Sequence, residues 1–128
     1  MILAAMAVAL SAYAGCVRVI GFEPIESYRV PAEPDTSEVR GEPARCGLFW
    51  EAQVINDCKL AGRVVVHLEY MDKDGKVILV DDTNIYNMAP SEGIDAMGVT
   101  EGGCADDVSG NPAAESVVVW AKWLGTSA

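Results

Sequence analysis

A chain of 128 residues with 19 acidic and 9 basic side chains carries a net charge of −10, which disfavours nucleic acid and anionic lipid surfaces as partners. Its length allows one small domain, with roughly 80 to 90 residues for a core once a leader and a tail are set aside. A single His and the absence of G-x-S-x-G, H-E-x-x-H, P-loop and C-x-x-C patterns disfavour an enzyme, and no metal or other cofactor is expected.

The segment from Met1 to Cys16 has no charged side chain and is built mostly of Ala, Leu, Val, Ile and Met. It has the length of an export h-region and is too short to span a bilayer comfortably as a helix, so residues 1–15 read as a signal peptide. It closes on Ser11-Ala12-Tyr13-Ala14-Gly15-Cys16. Here the chain resembles bacterial lipoprotein precursors, whose lipobox sets small residues before a Cys that becomes the lipidated mature N-terminus. Ala14-Gly15-Cys16 fits, while Tyr13 stands where that family prefers Leu. The resemblance implies lipidation at Cys16, a membrane anchor through that lipid and a place in the cell envelope, at the outer membrane or cell surface. Cleavage after Ala14 or Gly15 without lipid would give a secreted protein, and retention would leave a hydrophobic segment.

Residues 16–45 read as a Pro-rich tether. Pro24, Pro31, Pro34 and Pro43 recur among acidic and hydroxyl residues, no apolar period is sustained, and one short edge strand fits around Ser27 to Val30. The folded part is expected over 46–128. From Leu48 to Asn56, Trp50, Ala52 and Val54 share one face of a strand and Glu51 and Gln53 the other. The chain is organised around Arg63 to Val80. Val64, Val66, Leu68 and Tyr70 alternate with Val65, His67, Glu69 and Met71, and a turn containing Asp74-Gly75 leads into Val77 to Val80. Asp81 to Asn84 then interrupts before Ile85 to Met88, which allows either one long bulged strand or a strand followed by a short edge strand. Ala89 to Gly93 is a turn, Ile94 to Thr100 a weaker strand, Glu101 to Ala114 a loop and Glu115 to Leu124 the last strand.

About five or six strands with turns between them and no helix after the leader predict an all-β chain, an antiparallel β-sandwich. The run Trp50-x-Ala52-x-Val54-x-Asn56, the strand from Val64 through Leu68, Tyr70 and Asp72, Gly75 and the closing strands together resemble the FxLYD-type family of Ig-like bacterial domains. The aromatic, Leu, Tyr, Asp run that names the family is matched only at Leu68, Tyr70 and Asp72, with altered spacing. The resemblance implies an Ig-like sandwich, secreted or lipid-anchored, without enzymatic activity.

Disulfides belong with export. With Cys16 lipidated, Cys46, Cys58 and Cys104 remain. Strand polarity puts Cys46 and Cys104 at one end of the sandwich and Cys58 at the other. Cys46–Cys104 is therefore the preferred bridge, closing a loop of roughly 58 residues; Cys58–Cys104 stays open as the alternative. His67 reads as a surface or inter-sheet side chain. An enzyme would need it in a cleft with Glu69, Asp95 or Cys58. Asp72-Lys73-Asp74-Gly75 departs from a calcium loop and reads as a hairpin turn. Asp81-Asp82 and Glu101 with Asp106-Asp107 read as a solvated acidic rim rather than a calcium site. Trp123 falls with the core set and Trp120 on the opposite face; Trp120 reads first as a side chain that packs in the core or covers its sheet, and where exposed it forms with Asp106 and Asp107 a candidate binding surface. The expected function is a non-enzymatic envelope lipoprotein that presents a strand edge or an aromatic-bearing face to a protein partner. A carbohydrate- or calcium-dependent adhesion module is the alternative.

Overall fold

The computed structural model describes residues 7–10, 15–42, 45–102 and 113–126. The strands, in chain order, are β1 (Ala7–Leu10), β2 (Val17–Val30), β3 (Arg45–Asn56), β4 (Gly62–Met71), β5 (Val77–Asp82), β6 (Tyr86–Met88), β7 (Gly93–Glu101) and β8 (Ser116–Thr126). They form two sheets. One has the order β1-β8-β4-β5, with β6 also paired to β4, and the other has the order β2-β3-β7. Every pairing is antiparallel except that of β1 with β8, which is parallel. The chain is thus all-β, with antiparallel sheets arranged as a sandwich, consistent with an Ig-like fold.

Alternation along the strands builds the core between the sheets. Leu48, Trp50, Ala52 and Val54 of β3 face Val64, Val66, Leu68 and Tyr70 of β4 and Val117, Val119 and Ala121 of β8, and all are buried. These sets follow the two-residue period of the sequence, because a strand with one face buried must put every second side chain inside. Between β4 and β5, the Asp72 carboxylate accepts hydrogen bonds from the amides of Asp74 (2.9 Å) and Lys76 (3.0 Å), and Gly75 takes a positive φ of 79°. Asp72 therefore organises the hairpin turn.

The interruption at Asp81 to Asn84 separates two strands. β5 pairs with His67–Met71 and β6 with Gly62–Val64. Between them Thr83 bridges to Val66, its Oγ1 accepting from the Val66 amide at 2.8 Å and its own amide donating to the Val66 carbonyl at 2.9 Å. A threonine side chain thus replaces a missing rung of the ladder.

The tether expected over 16–45 is corrected. Its first half is the 14-residue strand β2, which pairs with β3 from Val17↔Asn56 to Val30↔Arg45. Val17 and Val19 are buried, and Phe22 packs on the core. Register shifts between Val19 and Gly21 and between Pro24 and Glu26 break the alternation that would have marked a strand. Pro24 is tolerated because β2 is an edge strand. The chain from Pro31 to Glu42 is an exposed loop with its own bonds, such as Glu33 N to Glu42 O at 2.8 Å, and connects β2 to β3.

Asn56, fully buried at the end of β3, gathers the turns at that end of the sandwich. Its Nδ2 donates to the carbonyls of Leu60, Met88 and Ala89, and its Oδ1 accepts from the Cys58 amide at 2.8 Å. Beside it Cys16 and Cys58 form a disulfide across a sequence separation of 42, and Arg18 pairs with Asp57. Trp123 shares the inward parity of Val119 and Ala121. It lies past the core, however, over Gly62, where an added Cβ would meet its ring at 1.9 Å, and it is 36% exposed rather than buried.

Candidate functional site

Three groupings of side chains concentrate the polar and exposed apolar chemistry of the described residues. The first lies on the outer face of the larger sheet, where the register sets Trp120 of β8, His67 of β4 and Asp82 of β5 in one row. The His67 ring packs on the Trp120 ring at 4.4 Å. Its Nδ1 lies 2.6 Å from Asp82 Oδ1 and its Nε2 3.2 Å from Glu69 Oε2. Both ring nitrogens are engaged, and only 8% of the residue is exposed. Of the partners considered for a catalytic His67, Glu69 is present. Asp95 lies on β7 in the other sheet, and Cys58 is held in the disulfide. This row ties β8, β4 and β5 together across the sheet. Trp120 stands on the outward face and is half-buried against His67, so it covers its sheet rather than offering an open ring. Asp106 and Asp107, its expected companions, lie outside the described residues.

The second grouping joins the sheets. Buried Thr100 of β7 accepts through its Oγ1 from Trp50 Nε1 (3.2 Å) and Tyr70 OH (3.1 Å) and donates to Asp81 Oδ2 (2.7 Å). One hydroxyl thereby satisfies two buried aromatic donors and anchors a carboxylate. Burial pushes the Tyr70 phenol up to about 12; the Thr100 hydrogen bond opposes this and the Asp81 charge adds to it. A phenol raised in the folded state keeps its proton while the unfolded chain loses it, so the domain binds more protons than its unfolded form between these values. Stability from this group is complete below about pH 10 and falls as pH rises toward 12, by about 2 to 3 kcal/mol in all. Urea unfolding measured across this range is expected to show the decline in the parent and to lose that component in Tyr70→Phe. An identical decline in both would refute the assignment. Next to Asp81 a polar cleft of about 190 Å³ opens between the sheets, bordered by Asp82, Asn84, Tyr86 and Met97. Among the described residues no group of three or more His, Cys, Asp and Glu is suited to hold a metal ion.

The third grouping lies on the outer face of the smaller sheet. Ile25, Phe49, Met97 and Val99 line an apolar groove of about 380 Å³. Met97 is 66% and Val99 44% exposed, although both stand on a nine-residue strand. Phe49 is opposite Val99, and its ring packs against that of Tyr28 at 5.4 Å. Beside the groove Glu51 is opposite Met97 on one side and Glu23 on the other. Like charges facing each other across two strands destabilise a sheet. Sequence reading placed Met97 and Val99 within the strand expected from Ile94 to Thr100. It missed the groove, because Ile25 fell in the presumed tether and only pairing of β2 with β3 brings it beside Phe49.

Cys16, expected to carry lipid, has its sulfur bonded to Cys58. A lipid thioether and this disulfide exclude each other on one sulfur atom. Cys46 is also disulfide-bonded, and its expected partner Cys104 lies outside the described residues. No family model, curated protein or solved structure matches the chain.

Proposed function

We propose that this chain is an exported, non-enzymatic interaction domain of the cell envelope, which docks a basic amphipathic segment of a protein partner in the groove of Ile25, Phe49, Met97 and Val99. The observation that carries this reading is the exposed apolar cluster set beside the facing pair Glu23 and Glu51. Contiguous exposed apolar surface marks interaction sites. A partner cation placed between the two carboxylates would relieve a repulsion that the free domain has to bear. Export is supported by the uncharged N-terminal segment and by cystine bonding, which persists in oxidising compartments. The chain is secreted where Cys16 is bridged to Cys58 and anchored where Cys16 carries lipid. The FxLYD-type resemblance points the same way, toward an extracytoplasmic Ig-like module.

Site-specific photocrosslinking in the native envelope tests the docking surface. A photoreactive residue at position 97 or 99 is expected to label one defined partner through a basic segment, whereas one at Val80, whose exposure on the other sheet lies between those of Met97 and Val99, is not. Glu51→Lys is expected to abolish the crosslink without destabilising the fold, since it replaces the repulsion from Glu23 with an opposite-charge pair. Equal labelling from positions 97 and 80, or crosslinking that survives Glu51→Lys, would refute the proposal.

A further inference from the structure

The outer edge of β8 is completed by β1, which belongs to the N-terminal segment read as a signal peptide. On one side β8 is paired with β4 along its length, from Met71↔Ser116 to Gly62↔Thr126. On the other side its only described strand partner is β1, which runs parallel to it over Ala7↔Ser116, Val8↔Val117, Ala9↔Val118 and Leu10↔Val119. β1 lies within residues 1–15, the segment read as a signal peptide. The edge it covers adjoins the core, since Val117 and Val119 have no exposed surface. A strand edge left without its neighbour presents a row of backbone donors and acceptors and is a template for another extended chain.

We infer that the processed domain is a strand acceptor: the β8 edge over Ser116–Val119 takes an extended, uncharged apolar segment donated by a partner chain and running parallel to β8. The chemistry of the occupant follows from what sits there in the full chain. Ala-Val-Ala-Leu offers no charge, no Pro and side chains of small to moderate size. Its parallel direction is reached by a separate chain as readily as by a distant segment of the same one. This inference rests on export with removal of residues 1–15, and it concerns a different surface from the groove on the smaller sheet.

The test compares the full chain with the processed protein from its host by amide hydrogen exchange, with intact mass recorded first. A mass that retains residues 1–15 would show that the segment is not removed and would overturn this proposal before any exchange is measured. In the full chain the β8 amides that face β1 are expected to be protected; in the processed protein they should exchange at least about tenfold faster. An uncharged peptide with the sequence of residues 5–12 should restore protection at Ser116–Val119, and the same peptide with Glu in place of Val8 and Leu10 should not. If the processed chain is unfolded by circular dichroism, folding on addition of the uncharged peptide supports the inference and failure to fold overturns it. Full protection in a folded, monomeric processed protein without peptide overturns it. So does self-association through β8, which would make a second copy the occupant.

Discussion

Trp50→Ala is expected to lower stability by about 4 kcal/mol, since removing a buried Trp or Phe typically costs 3 to 5. The ring is only 2% exposed, stacks on Phe22 at 5.9 Å and donates its Nε1–H to Thr100. It also fills the space that Gly98 leaves open, where an added Cβ would stand 2.2 Å from Trp50 Cζ2. The substitution therefore leaves a cavity between the sheets and removes one of the two donors that reach the Thr100 hydroxyl. Against a total stability of roughly 5 to 15 kcal/mol, much of the population should be unfolded at physiological temperature in the weaker part of that range. The melting temperature should fall by about 15 to 30 °C. Gly98→Ala probes the same contact from the other side and should destabilise by about 1 to 3 kcal/mol, because the ring, stacked on Phe22 and hydrogen-bonded to Thr100, would have to shift to admit the methyl group. Thermal melts of both variants check the account. A Trp50→Ala protein within about 1 kcal/mol of the parent would mean that β2, β3 and β7 do not pack as described.

Removing the Cys16–Cys58 bridge is the second large effect. In the chain-entropy account, a bridge closing 42 residues restricts the unfolded chain by about 4 kcal/mol at 25 °C. The double variant Cys16→Ser/Cys58→Ser should lose that amount, and reducing agent should bring the parent down at least as far, because Cys46 is bridged as well. The exposed Arg18–Asp57 pair beside it adds little, as surface ion pairs generally do. The same experiment bears on the envelope anchor. Where Cys16 carries lipid in the host, Cys58 has lost this partner, so Cys58→Ser should leave the melting temperature of the anchored protein unchanged. Where the bridge is present, Cys58→Ser should lower it as the double variant does. Melts of host-purified protein, with intact mass before and after reduction and alkylation, separate the two forms.

Much of the sandwich was legible because half-buried strands carry a period of two. The alternation of Val64, Val66, Leu68 and Tyr70 against Val65, His67, Glu69 and Met71 placed β4, and that of Trp50, Ala52 and Val54 placed β3. The turn at Asp72 to Lys76 was readable from Asp74-Gly75, since few residues other than Gly accept a positive φ there. β2 was not legible. Two register shifts within 14 residues move its inward set from Val17 and Val19 to Phe22, so that no single period survives. With β2 unread, Ile25 could not be placed beside Phe49, and the groove of the smaller sheet stayed hidden. The polar groupings were equally out of reach, because each joins residues far apart in the chain. Thr100 meets Trp50, Tyr70 and Asp81, and His67 meets Asp82 and Trp120.

The amino-acid sequence by itself therefore determined the strands with regular alternation, the side of each that faces the core, and the hairpin at Asp72 to Lys76, because those depend on neighbours two to four residues away. Only the tertiary structure decided that β2 belongs to the sandwich, that Cys16 bonds Cys58, that Trp120 rests on His67, and that Ile25, Phe49, Met97 and Val99 form one groove. Each of these depends on which strands pair and in what register, a choice made by packing across the whole domain rather than by local spacing.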